Sequence, residues 1–251
     1  MKYKIIILLC GLLAYGCSHT SQKGGFQTAQ NHLKEQASNY EAPNRRLATG
    51  FFVSNNGHFV TSCHVTSATK NIYITTNQGL RVPAKVLFED PEIDVALAKA
   101  DIQSFGVPFG TNKAVAKGGA VLTLGYPLLV IQGSEQKATF GRINAFSGIR
   151  NDPKVYQIDV PLQPGNSGGP LISDRGIVIG VVKATFNQMT ALQTLGTFTQ
   201  NINYAVKSDR ILPMLQRSLG NKIKLSTGTT RQEMTQLIQK FENSVVLVEA
   251  Y

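Results

Sequence analysis

Gly165-Asn166-Ser167-Gly168-Gly169-Pro170 lies between two short β runs, Val155–Val160 and Leu171–Ser173. Three glycines and a proline around one serine describe a sharp turn, because glycine accepts backbone conformations closed to other residues. Such a turn exposes a hydroxyl and lets backbone N–H groups point at an oxyanion forming beside it. The rival reading is a phosphate-binding loop. That reading lacks the Lys-Ser/Thr ending and the strand-to-helix context a phosphate loop needs, so Ser167 is the candidate nucleophile.

Outward from the turn the chain reads as β structure. Phe51-Phe52-Val53 and His58-Phe59-Val60-Thr61 flank Asn56-Gly57, which predicts a hairpin with a type I′ turn. Further short runs span Asn71–Thr75, Val82–Phe88, Val95–Ala98, Ala120–Leu124, Lys137–Phe146, Ile177–Ala184 and Asn203–Ala205. Regular short strands bounded by turn residues argue for an all-β barrel or sandwich and against a βαβ protein. Helical periodicity returns only near the end. Ser208–Leu219 places Ile211, Leu212, Leu215 and Leu219 on one face, with Gly220 as the C-cap. Thr230-Arg231-Gln232-Glu233 reads as a capping box opening a second helix, whose stripe is Met234, Leu237, Ile238 and Phe241. Ser244-Val245-Val246-Leu247-Val248 is a last strand candidate.

A serine nucleophile needs a histidine base and a carboxylate that orients it. His19 and His32 lie in a polar N-terminal stretch, and His58 follows the Asn56-Gly57 turn, where it is expected to face solvent. His64, in Thr61-Ser62-Cys63-His64-Val65, follows a β run, where a loop can present an imidazole to a cleft. Alone it reads as structural; beside the serine turn it reads as the base. Asp94 opens the apolar run Val95–Ala98, so it can be buried and still meet an imidazole. Asp90 and Glu92 are flanking alternatives, and Asp101 reads as a turn residue.

His64, Asp94 and Ser167 stand in the order His…Asp…Ser of the chymotrypsin-like proteases. The strings around them resemble the HtrA (Deg) branch of bacterial trypsin-like serine proteases. The matching segments are Thr49-Gly50-Phe51-Phe52-Val53, Thr61 to Val65, Ile93 to Leu97, Leu124-Gly125-Tyr126-Pro127, Gly141-Arg142-Ile143, Gln157-Ile158-Asp159, Gly165 to Leu171 and Asn203-Tyr204-Ala205-Val206. The resemblance covers residues 47–219. It implies a chymotrypsin-like fold of two six-stranded β-barrels with C-terminal helices, and a site in the cleft between the barrels. It implies Ser167 as nucleophile, His64 as general base and acid, Asp94 as its orienter, and the N–H groups of Gly165 and Ser167 as the oxyanion hole. Basic-specific relatives carry an Asp six residues before the nucleophile, where this chain has Pro161, and no histidine follows His64. An apolar preference on the acyl side of the cleaved bond is therefore the default. Pro161 and Phe186 are the candidate substrate-pocket residues. Phe186 opens a loop, 186–198, that either shapes the pocket or is an exposed variable loop. The family's usual C-terminal PDZ module is not found in the 32 residues after Leu219, so regulation by PDZ-bound peptides is not implied. The strand expected before Thr49 is not found at the N-terminal side either. Ser244 to Val248 resembles it, and the expectation is that the helix–strand extension 220–251 returns to complete the first barrel.

Residues 1–16 read as a secretory signal, with Lys2 and Lys4 as the positive region and Ile5 to Leu13 as the apolar one. Nine residues would span about 14 Å as a helix, short of a bilayer core of roughly 30 Å. Leu13-Ala14-Tyr15-Gly16-Cys17 resembles the bacterial lipobox, which implies that Cys17 is cleaved to the first residue and lipid-modified. The alternative is a plain signal peptide cut nearby. Residues 17–46 read as a polar tether, with a short helix from Gln27 to Tyr40. With Cys10 discarded and Cys17 acylated, Cys63 stands alone and reads as a small buried hydrophobe rather than a redox sensor.

Composition is ordinary for a globular protein: 42% hydrophobic, 16% charged, 23 Gly and 10 Pro in 251 residues, which excludes collagen-like, coiled-coil and largely disordered chains. The net charge is +10, and removal of 1–16 takes two lysines to leave +8. This balance suits an anionic partner or a plain solvated surface. The basic residues are scattered and no nucleic-acid motif appears, so no nucleic-acid partner is expected. Two functions remain. One is a serine endopeptidase of cell-envelope or extracellular proteins, anchored by lipid in the bacterial envelope, with outer membrane or periplasm favoured, needing neither metal nor cofactor. The other is a catalytically silent scaffold on the same fold, against which the full set of candidate residues argues.

Overall fold

The computed structural model describes residues 45–111, 115–183 and 201–251. Among them, twelve strands form two closed antiparallel barrels of six. The first contains β1 (Arg46–Phe52), β2 (His58–Thr61), β3 (Ile72–Thr75), β4 (Arg81–Asp90), β5 (Val95–Ala100) and β12 (Val245–Ala250), in the spatial order β1-β12-β3-β4-β5-β2. The second contains β6 (Ala120–Gly125), β7 (Lys137–Ala145), β8 (Val155–Ile158), β9 (Pro170–Ser173), β10 (Val178–Lys183) and β11 (Asn203–Lys207), in the order β10-β11-β8-β7-β6-β9. The helices are α1 (Cys63–Thr66), α2 (Leu129–Gln132), α3 (Ser208–Leu219) and α4 (Met234–Phe241). This is the chymotrypsin-like two-barrel fold. Each barrel has its own core: Phe52, Phe59, Ile74 and Val248 pack in the first, Tyr156, Ile158, Leu171 and Ile179 in the second.

The strand that closes the first barrel comes from the far end of the chain. β12 pairs with β1 from Phe51↔Val245 to Arg46↔Ala250, and with β3 from Thr75↔Leu247 to Ile72↔Ala250. All six of its residues are buried, which is why the run is apolar without the alternation of a half-exposed strand. Burying each of Val245, Val246, Leu247 and Val248 stabilises by about 1.5–3 kcal/mol. Together that rivals the whole net stability of a domain, about 5–15 kcal/mol.

Glu249 is the polar exception on β12. Its carboxylate accepts hydrogen bonds from the Arg45 guanidinium, from Arg81 Nε at 3.1 Å and from the Tyr251 hydroxyl at 3.2 Å. Arg81 in turn lies over the Tyr73 ring, 3.7 Å from its centroid. Burial pushes the Glu249 carboxyl up, but Arg81 and Arg45 outweigh it and hold the group below the ordinary glutamate value.

Three expectations are corrected. The β1–β2 hairpin is not a two-residue type I′ turn: Val53 N–H donates to His58 O across a four-residue loop, in which Gly57 (φ +83°) but not Asn56 has positive φ. The Ser54 hydroxyl donates to Asn56 Oδ1 at 2.7 Å, and Gly57 N–H donates to Ser104 Oγ at 2.9 Å, so side chains hold the longer loop. His58 does not face solvent. It is buried, with Nδ1 2.9 Å from Asn56 Oδ1 and 3.0 Å from Ser54 Oγ. Burial, then Lys99 and Lys222, lower its pKa. The capping box is not formed either. Helix α4 begins at Met234 with no side-chain cap, because Gln232 N–H donates to Asp174 O and Arg231 pairs with the Asp174 carboxylate at 3.0 Å. The predicted helix 27–40 lies outside the described residues.

Deleting residues 229–251 is expected to abolish the cooperative thermal transition; an unchanged Tm contradicts the closure by β12. Glu249→Gln is expected to cost about 1–3 kcal/mol at neutral pH by weakening the partner of the largely buried Arg45 guanidinium. Because the folded carboxyl titrates below its unfolded value, this contribution is fully present above the ordinary glutamate range. It is lost as pH falls through the lower folded value, so the wild-type and Glu249→Gln Tm curves should converge in acid.

Candidate active site

Helix α1 is a single turn directly after β2. Cys63, Val65 and Thr66 face the barrel and are buried, leaving His64 outward with its side chain 45% exposed. The turn is pinned at several points. Thr66 Oγ1 donates to Glu89 Oε1 at 2.6 Å, Cys63 Sγ lies 3.0 Å from Ser67 Oγ, and Arg46 Nη1 donates to the carbonyls of His64 and Ser67 at 3.0 and 2.7 Å. Burial pushes the Cys63 thiol pKa up.

Asp94 ends the turn between β4 and β5 with φ +58°, a left-handed conformation that aspartate tolerates better than most residues. Its carboxylate meets His64 twice. Oδ2 lies 2.9 Å from Nδ1, and Oδ1 accepts the His64 backbone N–H at 2.8 Å. Burial pushes this carboxyl up, but the hydrogen bonds and charge of His64, with Lys183 beyond, win and hold it below the ordinary aspartate value. An ionised Asp94 facing Nδ1 favours the tautomer with the proton on Nδ1 and leaves Nε2 as an acceptor. The two alternatives are otherwise engaged. Asp90 Oδ1 accepts the N–H groups of Glu92 and Ile93, and exposed Glu92 pairs with Lys154.

The serine turn is wedged between the barrels. At Gly168 (φ +85°) a Cβ would sit 2.3 Å from Thr49 O and 2.6 Å from Ser62 N; at Gly165 (φ +101°) it would sit 2.3 Å from Tyr126 O. Only glycine fits either place. Gly168 thus packs against the Ser62 amide, two residues before His64. Thr49, on β1, joins the halves: its N–H donates to Ser167 O at 2.9 Å, and its hydroxyl donates to Gly165 O at 2.7 Å. The turn's peptide planes are also set. Leu128 N–H donates to Pro164 O at 2.8 Å and Gly169 N–H to Asn166 O at 3.0 Å. In a trans peptide the N–H points opposite to the C=O, so these bonds direct the Gly165 and Ser167 N–H groups away from Leu128 and Gly169.

A model of the trypsin-like peptidase domain matches residues 48–181. The chain belongs to the trypsin-like peptidase family. It is HtrA-like within that family. It is 33% identical over 225 residues to the uncharacterized protein y4bJ of Sinorhizobium fredii, covering 88% of this chain and 35% of that one. It is 32% identical to a probable periplasmic serine endoprotease, DegP-like, of Halomonas elongata, covering 64% of this chain and 32% of that protein. Among solved structures, the HtrA-type protease AlgW with a decapeptide superposes with a TM-score of 0.58 at 26% identity, covering 69% of this chain and 52% of that one. The chain thus spans about a third of the length of the curated relatives it matches.

Of the trypsin-like site candidates, the structure brings His64 and Asp94 into contact and sets the Ser167 turn against their barrel. Pro161 instead lines a cavity of about 490 Å³ with Phe140, Gly141, Arg142, Asp159 and Met234, and none of His64, Asp94 and Ser167 is in its wall. Cys17 and Phe186 lie outside the described residues. Sequence reasoning missed Thr49 and Arg46: Thr49 stood inside a matching string and Arg46 at the end of the apparent tether. A single hydroxyl or guanidinium carries no local signal that it bonds a turn far along the chain.

Gly168→Ala and Gly79→Ala separate conformation from contact. Both glycines have φ near +85°, but nothing lies within 4 Å of a Cβ at Gly79. Gly79→Ala is expected to cost about 1–2 kcal/mol and Gly168→Ala clearly more, by thermal unfolding. Equal losses contradict the wedge.

Proposed function

We propose that this chain is an exported serine endopeptidase that works through an acyl-enzyme on Ser167. The observation that carries the reading is the double contact of Asp94 with His64 in the barrel against which the Ser167 turn is wedged. Ser167 Oγ attacks the peptide carbonyl carbon while His64 Nε2 takes its proton. The oxyanion is met by the N–H groups of Gly165 and Ser167. The C–N bond breaks as His64 returns the proton to the leaving amine, and a water then repeats the two steps to free the acid. Asp94 holds the Nδ1 tautomer and stabilises the imidazolium without itself taking the proton.

Substrates are proteins or peptides in extended form, in keeping with a peptide-bound HtrA-type neighbour. With Pro161 six residues before Ser167 and no histidine beyond His64, neither position supplies a charge to select one, and an apolar residue on the acyl side is the reading. Phe186 is the pocket residue of this proposal, and Pro161 enters it only as a position that carries no charge. Periplasmic DegP-like relatives support export. Lys2, Lys4, the apolar Ile5–Leu13 and Cys17 support delivery by a lipoprotein signal and anchoring by lipid in the envelope.

The test is hydrolysis of an unfolded protein substrate by the purified chain, beside Ser167→Ala and Asp94→Asn. Ser167→Ala is expected to be inactive. Asp94→Asn should keep the fold and lose about 10⁴-fold in kcat, because an amide at that position favours the wrong tautomer. A folded wild type that leaves the substrate intact overturns the proposal in favour of a silent scaffold.

A further inference from the structure

We propose that the Thr49 hydroxyl is a positioning group for the oxyanion-binding turn, a reading that rests on Ser167 being the nucleophile. Thr49 is fully buried and belongs to the first barrel, yet its hydroxyl makes its contacts in the second. Oγ1 donates to Gly165 O at 2.7 Å and accepts the Tyr126 N–H at 3.1 Å. The residue's own carbonyl is held from behind by Thr61 Oγ1 at 2.8 Å, so the hydroxyl is presented from a fixed backbone.

The Gly165–Asn166 peptide lies between the two N–H groups assigned to the oxyanion. Its carbonyl is held by Thr49 and its N–H by Gln163 O at 3.0 Å. A planar trans peptide gripped at both ends cannot rotate. That grip is needed because of Gly165 itself. Only glycine fits there, at φ +101° with Tyr126 O 2.3 Å from any Cβ, and glycine is also the residue with most freedom to leave that conformation. Oxyanion donors act by being oriented before charge develops. The restraint that the glycine cannot supply comes from a hydroxyl in the other barrel. Thr49 touches no reacting atom; it acts through Gly165.

Ser104 provides a matched control. Its buried hydroxyl also bridges a backbone N–H and a backbone C=O, accepting from Gly57 at 2.9 Å and donating to Ser54 O at 2.7 Å, but it does so at the β1–β2 loop. Full-length Thr49→Val, Thr49→Ser and Ser104→Ala are compared for kcat and KM on a peptide, Tm, and hydrogen exchange at the Asn166 amide. Thr49→Val is expected to lose about 10- to 100-fold in kcat with KM within about twofold. Thr49→Ser should stay within about threefold of wild type, and Ser104→Ala should lose Tm without losing kcat. Asn166 exchange should rise about tenfold in Thr49→Val alone. If Thr49→Val does not fold, Thr49→Cys replaces it, a weak donor nearly the size of serine, with the same fall expected against Thr49→Ser. A Thr49→Val kcat no lower than that of Ser104→Ala, or a Thr49→Ser as impaired as Thr49→Val, overturns the inference. Unchanged Asn166 exchange overturns it whether or not the wild type cleaves peptide. An inactive wild type in which the exchange effect is present overturns the functional reading alone.

Discussion

Three hydrogen bonds from one buried threonine connect the two barrels at the point where chemistry is expected. Thr49 meets Ser167 O, Gly165 O and Tyr126 N in a junction where Thr49, Tyr126 and Ser167 are buried and Gly165 is half-buried. In that setting each bond is stronger than in water, and each unmade bond would leave a costly buried polar group. The serine turn therefore has a definite address on the first barrel. Gly165 and Gly168 follow from this constraint, since a backbone brought so close to Tyr126, Thr49 and Ser62 leaves no space for a side chain. The helical turn that carries His64 starts one residue after Ser62.

The first barrel is a long-range construction. β1 and β12 are neighbours although they lie at opposite ends of the described chain, and the Arg45–Glu249 pair joins residues 204 positions apart. Pairings of this kind cost loop-closure entropy before they return any burial, which makes such folds slow to form. His64 and Asp94 both stand on this barrel. That barrel is closed only when β12 pairs with both β1 and β3. The same closure leaves Arg46 beside the His64 turn, where its guanidinium binds two carbonyls.

Much of this was legible from residues. The serine turn could be read because positive φ and close backbone approach both select glycine, and the β runs could be read because short apolar stretches fell between turn residues. What could not be read depended on partners remote in the chain. Asp90, Glu92 and Asp94 are equivalent in composition, and only the bonds that occupy the first two and the left-handed turn at Asp94 distinguish them. A two-residue loop would leave His58 exposed; the four-residue loop folds Ser54 and Asn56 over its ring. The capping box at Thr230 lost to bonds with Asp174, a partner on the second barrel's β9–β10 turn. Thr49 lies 116 residues from the Gly165 carbonyl it binds, which no local pattern encodes.

If the proposed function holds, this junction produces an activated serine. The most direct measurement is intact mass and peptide mapping of the folded protein after reaction with a fluorophosphonate probe, beside Ser167→Ala. One adduct, mapped to Ser167 and missing from the variant, is the predicted result. A folded wild type that takes no adduct, or takes it elsewhere, contradicts the claim.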